Sequence, residues 1–230
     1  MTTIERNICS VRDRMLTACV SVGRNSTSVS LLAVSKTFGI DAVLEAMATG
    51  QCAFGENYIA EGVEKIVALQ EHKQLVWHCI GPVQSNKTRL VAEHFDWVQS
   101  VDRLKTAQRL SEQRPSQLAP LQICIQVDID GGANKSGVTP DEVPALLAEI
   151  IKLPNLQLRG LMTLPEPAID FVAACAQHSG AKALFDAINR SGVLTTPMDT
   201  LSMGMTADLE AAIASGSTMV RVGTAIFGKR

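Results

Sequence analysis

Lys36 closes the run Leu31-Leu32-Ala33-Val34-Ser35-Lys36, and Val220-Arg221-Val222-Gly223-Thr224 lies near the other end of the chain. An apolar strand that ends in an amine can present it to a carbonyl carbon. Burial at the strand end is expected to disfavour the ammonium form and free the lone pair for attack. The second segment places a guanidinium inside an apolar strand, with bare amides just beyond it. Gly223 lets backbone N–H groups approach an anion closely, and Thr224 adds a hydroxyl donor. Ser202-Met203-Gly204-Met205 leads into a helical pattern carrying Asp208 and Glu210. The start of that helix is a further anion site, although the two acids use part of its field. An amine and a phosphate cradle together suit a phosphorylated aldehyde. The lysine alone leaves two classes open, the Schiff-base aldolases and the pyridoxal phosphate proteins.

Elements that bring two ends of a chain together must close on themselves. Strand patterns occur at Leu31–Val34, Cys52–Phe54, Leu75–Ile80, Trp97–Val98, Leu121–Val127, Leu156–Leu161, Asp199–Leu201 and Thr218–Val222. Helical spacing separates them: Ile40, Val43, Leu44 and Met47; Ile59, Val63, Ile66 and Val67; Lys87–Glu93; Leu104, Ala107 and Leu110; Val143, Leu146, Leu147 and Ile150; Phe171–Ile188; and Asp208–Ala214. Thr139, Pro140 and Glu142 read as a capping box at a helix start. An extra helix with Ile4, Ile8, Val11 and Met15 on one face precedes the first strand and is broken by Asn25-Ser26-Thr27-Ser28. Eight strand–helix units predict an α/β fold, a (β/α)8 TIM barrel with an extra N-terminal helix. No Gly/Ser/Pro-rich linker interrupts it, so residues 1–230 read as one domain. An open doubly wound sheet is the alternative, but its Gly-x-Gly-x-x-Gly fingerprint is missing. The weakest strands are those at 52–54, 97–98 and 199–201.

A barrel gathers function at the residues just after its strands. Here these are Lys36, Asn57, Gly81, Ser100, Asp128, Met162, Ser202 and Gly223-Thr224. They include no histidine pair or carboxylate cluster at metal spacing, so a catalytic metal is not expected. His78 reads as a structural residue. The chain is 46% apolar with a net charge of −2, which argues against nucleic acid or an anionic membrane as a main partner. Its 6 cysteines are scattered with no Cys-x-x-Cys pair, and Glu5, Arg6, Arg12, Asp13 and Arg14 interrupt any signal-peptide-like stretch. No segment reaches the roughly 20 apolar residues of a membrane span. A soluble, cytoplasmic protein is expected.

Arg221 adds a chemical constraint. An arginine aimed at a pyridine nitrogen keeps its protons, so the ring nitrogen stays neutral and the ring is a weaker electron sink. Leu32-Ala33-Val34-Ser35-Lys36-Thr37, Phe54-Gly55-Glu56-Asn57-Tyr58, Trp77-His78-x-Ile80-Gly81-x-x-Gln84-x-Asn86-Lys87 and Lys135-Ser136-Gly137 then fall in order along the chain. Arg159-Gly160-Leu161-Met162, Leu201-Ser202-Met203-Gly204-Met205 and Val220-Arg221-x-Gly223-Thr224-x-Ile226-Phe227-Gly228 follow. In these stretches the chain resembles the pyridoxal phosphate homeostasis proteins, single-domain relatives of the alanine racemase barrel of fold type III. The resemblance implies that Lys36 carries pyridoxal 5'-phosphate as an internal aldimine and that Arg221 faces the pyridine nitrogen. It implies that Ser202, Gly223 and Thr224 hold the phosphate, with Asn57 near the ring. It also implies a role in cofactor homeostasis or delivery and in amino- and keto-acid balance, without robust catalysis.

The chain departs from the family at three places. Phe38 stands where many relatives have another lysine, so a second imine or transfer site there does not carry over. Asp130-Gly131-Gly132-Ala133-Asn134 is a Gly-rich variant of the loop before Lys135, and the sequence stops at Lys229-Arg230, where relatives run on for a few residues. The main alternative is an amino-acid racemase of low activity. Two-base racemization needs a lysine on one face and typically a tyrosine on the other. In alanine racemases the tyrosine comes from a separate domain, for which this sequence is expected to leave no room. Its 1 tyrosine, Tyr58, is read as packing or hydrogen-bonding. An aldolase would want a carboxylate near the lysine, and Asp128 is the one clear strand-end candidate, with a structural reading at least as good. The expectations are therefore a solvent-open site on a monomer, transient contact with apo-enzymes, and a surface role for Lys135.

Overall fold

The computed structural model describes residues 1–131 and 136–229. Eight parallel strands close into a barrel in sequence order. They are β1 (Ser30–Val34), β2 (Ala53–Glu56), β3 (Val76–Cys79), β4 (Trp97–Val101), β5 (Leu121–Val127), β6 (Leu156–Thr163), β7 (Thr200–Ser202) and β8 (Met219–Val222). The seam is β8 on β1, with Arg221 opposite Leu32 and Val222 opposite Ala33. Closure therefore brings the end of β8 beside the end of β1, which is what joins the two segments that opened the sequence analysis.

An extra helix α1 (Thr3–Ser21) comes first, and α2 (Ile40–Ala48), α3 (Ile59–Ala68), α4 (Thr88–His94), α5 (Leu104–Gln113), α6 (Val143–Ile150), α7 (Phe171–Arg190), α8 (Leu209–Ala214) and α9 (Thr224–Phe227) follow β1 to β8 in turn. All eight expected strands are present; the weak one at 97–98 runs on to Val101. The Thr139–Glu142 capping box forms, but on a single 3₁₀ turn (Pro140–Glu142) that leads into α6. Helix α9 was not anticipated, because four residues are too few to show a period.

The main apolar core lies between the strands and the helices, where Ala33, Phe54, Val98, Ile123, Leu161 and Val220 are buried against Val43, Val91, Leu110, Leu147 and Leu209. Each large side chain so buried stabilises the fold by roughly 1.5–3 kcal/mol. Helix α1 braces the last two helices of the barrel. Arg14 donates to Glu210 at 2.7 Å and to the carbonyl of Thr206 at 2.9 Å, and Asn7 Nδ2 donates to the carbonyl of Ile226 at 2.8 Å. It thus steadies the loops that follow β7 and β8.

Strands β6 and β7 approach so closely at Gly160 that an added Cβ would sit 1.6 Å from the carbonyl oxygen of Thr200. Gly160→Ala should therefore disrupt barrel closure, lowering stability by more than about 4 kcal/mol or preventing folding. Gly39→Ala, where nothing lies within 4 Å, should cost less than about 1 kcal/mol. Urea titrations of both variants check the contrast.

Candidate functional site

A cavity of about 320 Å³ opens at the carboxyl ends of the strands. Lys36 (after β1), Asn57 (after β2), Arg221 (in β8), and Gly223 and Thr224 (after β8) line it, with Met205–Ala207 from the loop after β7. Val34, Ile80 and Met162 supply apolar walls. Five of the six expected binding residues thus meet at one cavity. A second space of about 470 Å³ shares Asn57, Ile80, Met162, Leu164 and Met205 with the first.

Ser202 is the residue that does not line it. Its side chain is fully buried inside the barrel, where the hydroxyl donates to Gln99 Oε1 at 2.7 Å and accepts from Arg221 at 2.8 Å. Strands β4 and β7 are not neighbours in the sheet, so this bond crosses the barrel interior. Gln99 Nε2 in turn donates to His78 Nδ1 at 2.9 Å and to Met219 Sδ at 3.1 Å. Burial pushes the His78 imidazole down to about 3. It is therefore neutral at physiological pH, and its Nδ1 is free to accept. The structural reading of His78 holds, and its partner Gln99 is a residue the sequence gave no reason to select.

Arg221 is buried with no carboxylate in contact among the described residues. It donates to the carbonyl of Ser202 at 2.7 Å, to the Ser202 hydroxyl, and to the carbonyl of Thr163 at 2.7 Å. Those bonds engage three of its five N–H donors. Burial lowers its pKa to about 10, which leaves it a cation at neutral pH.

Lys36 departs from expectation. Strand β1 ends at Val34, Ser35 is the last buried residue, and Lys36 stands exposed on the following turn. The amine thus sits on the cavity rim in water, with no ion pair or hydrogen bond among the described residues. The burial invoked to free its lone pair is absent. Phe38 explains itself by packing, its ring stacked on Phe227 of α9 at 5.2 Å.

The side of the cavity after β7 and β8 is built from backbone. Helix α9 starts at Thr224 directly after Gly223, and no side chain caps it; the Ile226 and Phe227 amides donate to the Gly223 carbonyl, which leaves the Thr224 and Ala225 amides without an intrahelical acceptor. Gly204 holds φ +92°, and an added Cβ would come 2.3 Å from that of Ala212; its carbonyl accepts from the Arg221 amide at 3.0 Å. The acids expected to compete with an anion are engaged elsewhere. Asp208 accepts from the Met205 amide at 2.7 Å and from His178 Nε2 at 2.9 Å, and Glu210 pairs with Arg14. Thr206 contributes a further hydroxyl-bearing lining residue, which its place in the loop after β7 could have suggested.

Other rim residues prove structural. Ser100 donates to the carbonyl of Gly81 at 2.6 Å, and Asp128 accepts from the Gly131 amide at 3.1 Å. Tyr58 is 55% exposed and is not among the residues that line the cavity. Lys135 and the residues 132–134 of the Gly-rich loop lie outside the described residues. The described residues contain no cluster suited to a metal ion, and no described helix is long and apolar enough to cross a membrane.

Comparison with known proteins adds four findings. Residues 13–230 match the family model for the alanine racemase N-terminal domain. A pyridoxal phosphate homeostasis protein of Pseudomonas aeruginosa is 52% identical over 230 residues, covering 100% of this chain and 97% of its own. PipY of Synechococcus elongatus, solved with PLP bound, superposes with a TM-score of 0.84 at 33% identity, covering 98% of this chain and 100% of its own. An alanine racemase of Clostridium difficile shares the barrel fold at 19% identity and a TM-score of 0.71, with 95% of this chain aligned to 59% of that one.

The neutral His78 carries a pH dependence. Its folded pKa lies below the unfolded value, so unfolding takes up a proton, and stability is present above pH 6.5 and lost as pH falls towards about 3. Between pH 7 and pH 5 this group should remove about 2 kcal/mol. His78→Gln, which keeps an acceptor for Gln99 but cannot titrate, should lose correspondingly less over that range in chemical denaturation. An unchanged pH slope would contradict the neutral buried imidazole.

Proposed function

Because the chain belongs to the family of pyridoxal phosphate homeostasis proteins, we propose that it binds pyridoxal 5'-phosphate on Lys36. It then acts in homeostasis and delivery of that cofactor, and in amino- and keto-acid balance, without robust catalysis. The carrying observation is that one cavity holds a free amine at its rim and an uncapped helix start beside a buried arginine at its other side. The donor set suits the cofactor: an amine for its aldehyde, apolar walls for a flat ring, a cation with spare donors for a ring nitrogen, and amides with hydroxyls for a phosphate. When bound, the cofactor supplies a reactive aldehyde and a ring that can accept electron density.

The residues divide the work. Lys36 presents its amine from the turn after β1. Gly223 and Thr224 give the phosphate backbone and hydroxyl donors. Arg221, with donors left over, would hold the ring nitrogen and, because it keeps its protons, would leave that nitrogen unprotonated. Asn57 lines the cavity and would lie near the ring; its carboxamide has no protein partner among the described residues. Ser202 belongs to the set through Arg221, whose guanidinium it holds, rather than through the phosphate.

Carrier rather than racemase is supported by the lining of the cavity. Two-base racemization needs a second acid/base opposite the lysine, and Tyr58 is not among the residues that line the cavity. An aldolase would need a carboxylate by the amine, and none lines this cavity among the described residues. The exposed rim suits exchange with free amines and transient contact with apo-enzymes. The reading is of a cytoplasmic monomer, in keeping with six free cysteines.

The test is the visible spectrum of the purified protein titrated with pyridoxal 5'-phosphate, beside Lys36→Ala. The wild type should develop a violet-region band that the variant lacks, and the loaded wild type should activate an apo-enzyme while racemizing alanine slowly or not at all. No band in either protein would refute the assignment, and rapid racemization would refute the carrier role.

A further inference from the structure

Lys65 lies on a helix, where a lysine four residues after Glu61 reads as half of a surface ion pair, yet it is only 4% exposed. Its ammonium donates to Glu56 Oε1 at 2.7 Å, to Glu61 Oε1 at 2.7 Å and to the carbonyl of Ser35 at 2.8 Å. All three of its protons are engaged. Glu61 Oε1 also accepts from the backbone N–H of Thr37 at 2.5 Å, and the Ser35 hydroxyl donates to Glu56 Oε1 at 2.6 Å. Ser35 and Thr37 are the two chain neighbours of Lys36. The network therefore grips the backbone on both sides of the amine-bearing residue.

What it grips is strained. Thr37 has φ +71°, the left-handed region that a β-branched residue avoids. Left alone, such a turn relaxes to negative φ and swings the preceding side chain away. The network is also poorly suited to stability alone. Two carboxylates share one buried ammonium, and Glu56 Oε2 is buried without a partner among the described residues. Apolar residues at such positions often serve stability as well or better.

We propose that Glu61 and Lys65 are positioning residues for Lys36, holding the Ser35–Thr37 turn in its strained form so that the amine faces the cavity. This rests on Lys36 being the attachment point. The clamp raises the fraction of molecules whose amine is placed to condense with an aldehyde, a step that forms one C–N double bond and releases one water. A ligand's apparent affinity scales with that fraction.

The experiment titrates Glu61→Ala with pyridoxal 5'-phosphate and, separately, with pyridoxine 5'-phosphate, which lacks the aldehyde. Glu61 is half-buried at the surface, so its truncation leaves the core intact. The violet band should form with about 10-fold weaker apparent affinity, while pyridoxine 5'-phosphate binds within about twofold of wild type. Glu61→Gln, which keeps an oxygen for the Thr37 amide, should recover most of the loss. So should Thr37→Gly in the Glu61→Ala background, since glycine takes positive φ without strain. A band unchanged in Glu61→Ala, whatever its melting temperature, would overturn the clamp, as would equal weakening of both ligands. A wild type that forms no band would overturn the attachment at Lys36 and the clamp with it.

Discussion

A guanidinium buried inside a barrel with no carboxylate beside it sets the terms for the surrounding structure. Removing an ion from water costs several kcal/mol after relaxation, and Arg221 recovers that cost from two carbonyls and a hydroxyl on β6 and β7. The hydroxyl is itself fixed across the interior by Gln99, and Gln99 by a histidine that must stay neutral to accept. Five strands (β3, β4, β6, β7 and β8) are thereby tied through the centre of the barrel by polar bonds, where a purely apolar filling would leave the cation unsupported. With a pKa lowered by burial only to about 10, and no carboxylate in contact among the described residues, Arg221 stays a cation where it lines the cavity.

The two sides of the site are built by different means. The anion side is rigid backbone: an uncapped helix start, a left-handed glycine in the loop after β7, and helix α1 bracing both loops through Arg14 and Asn7. The amine side is a single strained turn on the exposed rim. A group held firmly by its anion and reversibly by its aldehyde fits storage and release better than repeated turnover, which ordinarily shields its reactive centre from water.

The barrel was legible because parallel strands covered on both faces read as continuous apolar runs, and seven of the helices between and after them carry enough residues for a period. Strands β2 and β7 were harder because few residues carry each, and β4 because Gln99 and Ser100 interrupt its apolar run. Four of the five candidate residues that meet at the cavity follow a strand, and that position is itself the signal; Arg221 lies within β8. Direction was the part that sequence could not carry. Ser202 closes its strand as expected, but the pleat turns its hydroxyl into the barrel; Lys36 follows a buried residue, yet the turn lifts it into solvent. Nothing in the sequence singles out Lys65; the packing of α3 on β2 and β3 buries it and sets it against Ser35 and Glu56.

Attachment at Lys36 is tested most directly by borohydride. The protein is loaded with pyridoxal 5'-phosphate, reduced, digested, and mapped by peptide mass. A phosphopyridoxyl group on the peptide containing Lys36, at close to one per chain, is the predicted result. Label spread over other lysines, or confined to a residue away from the cavity, would contradict it.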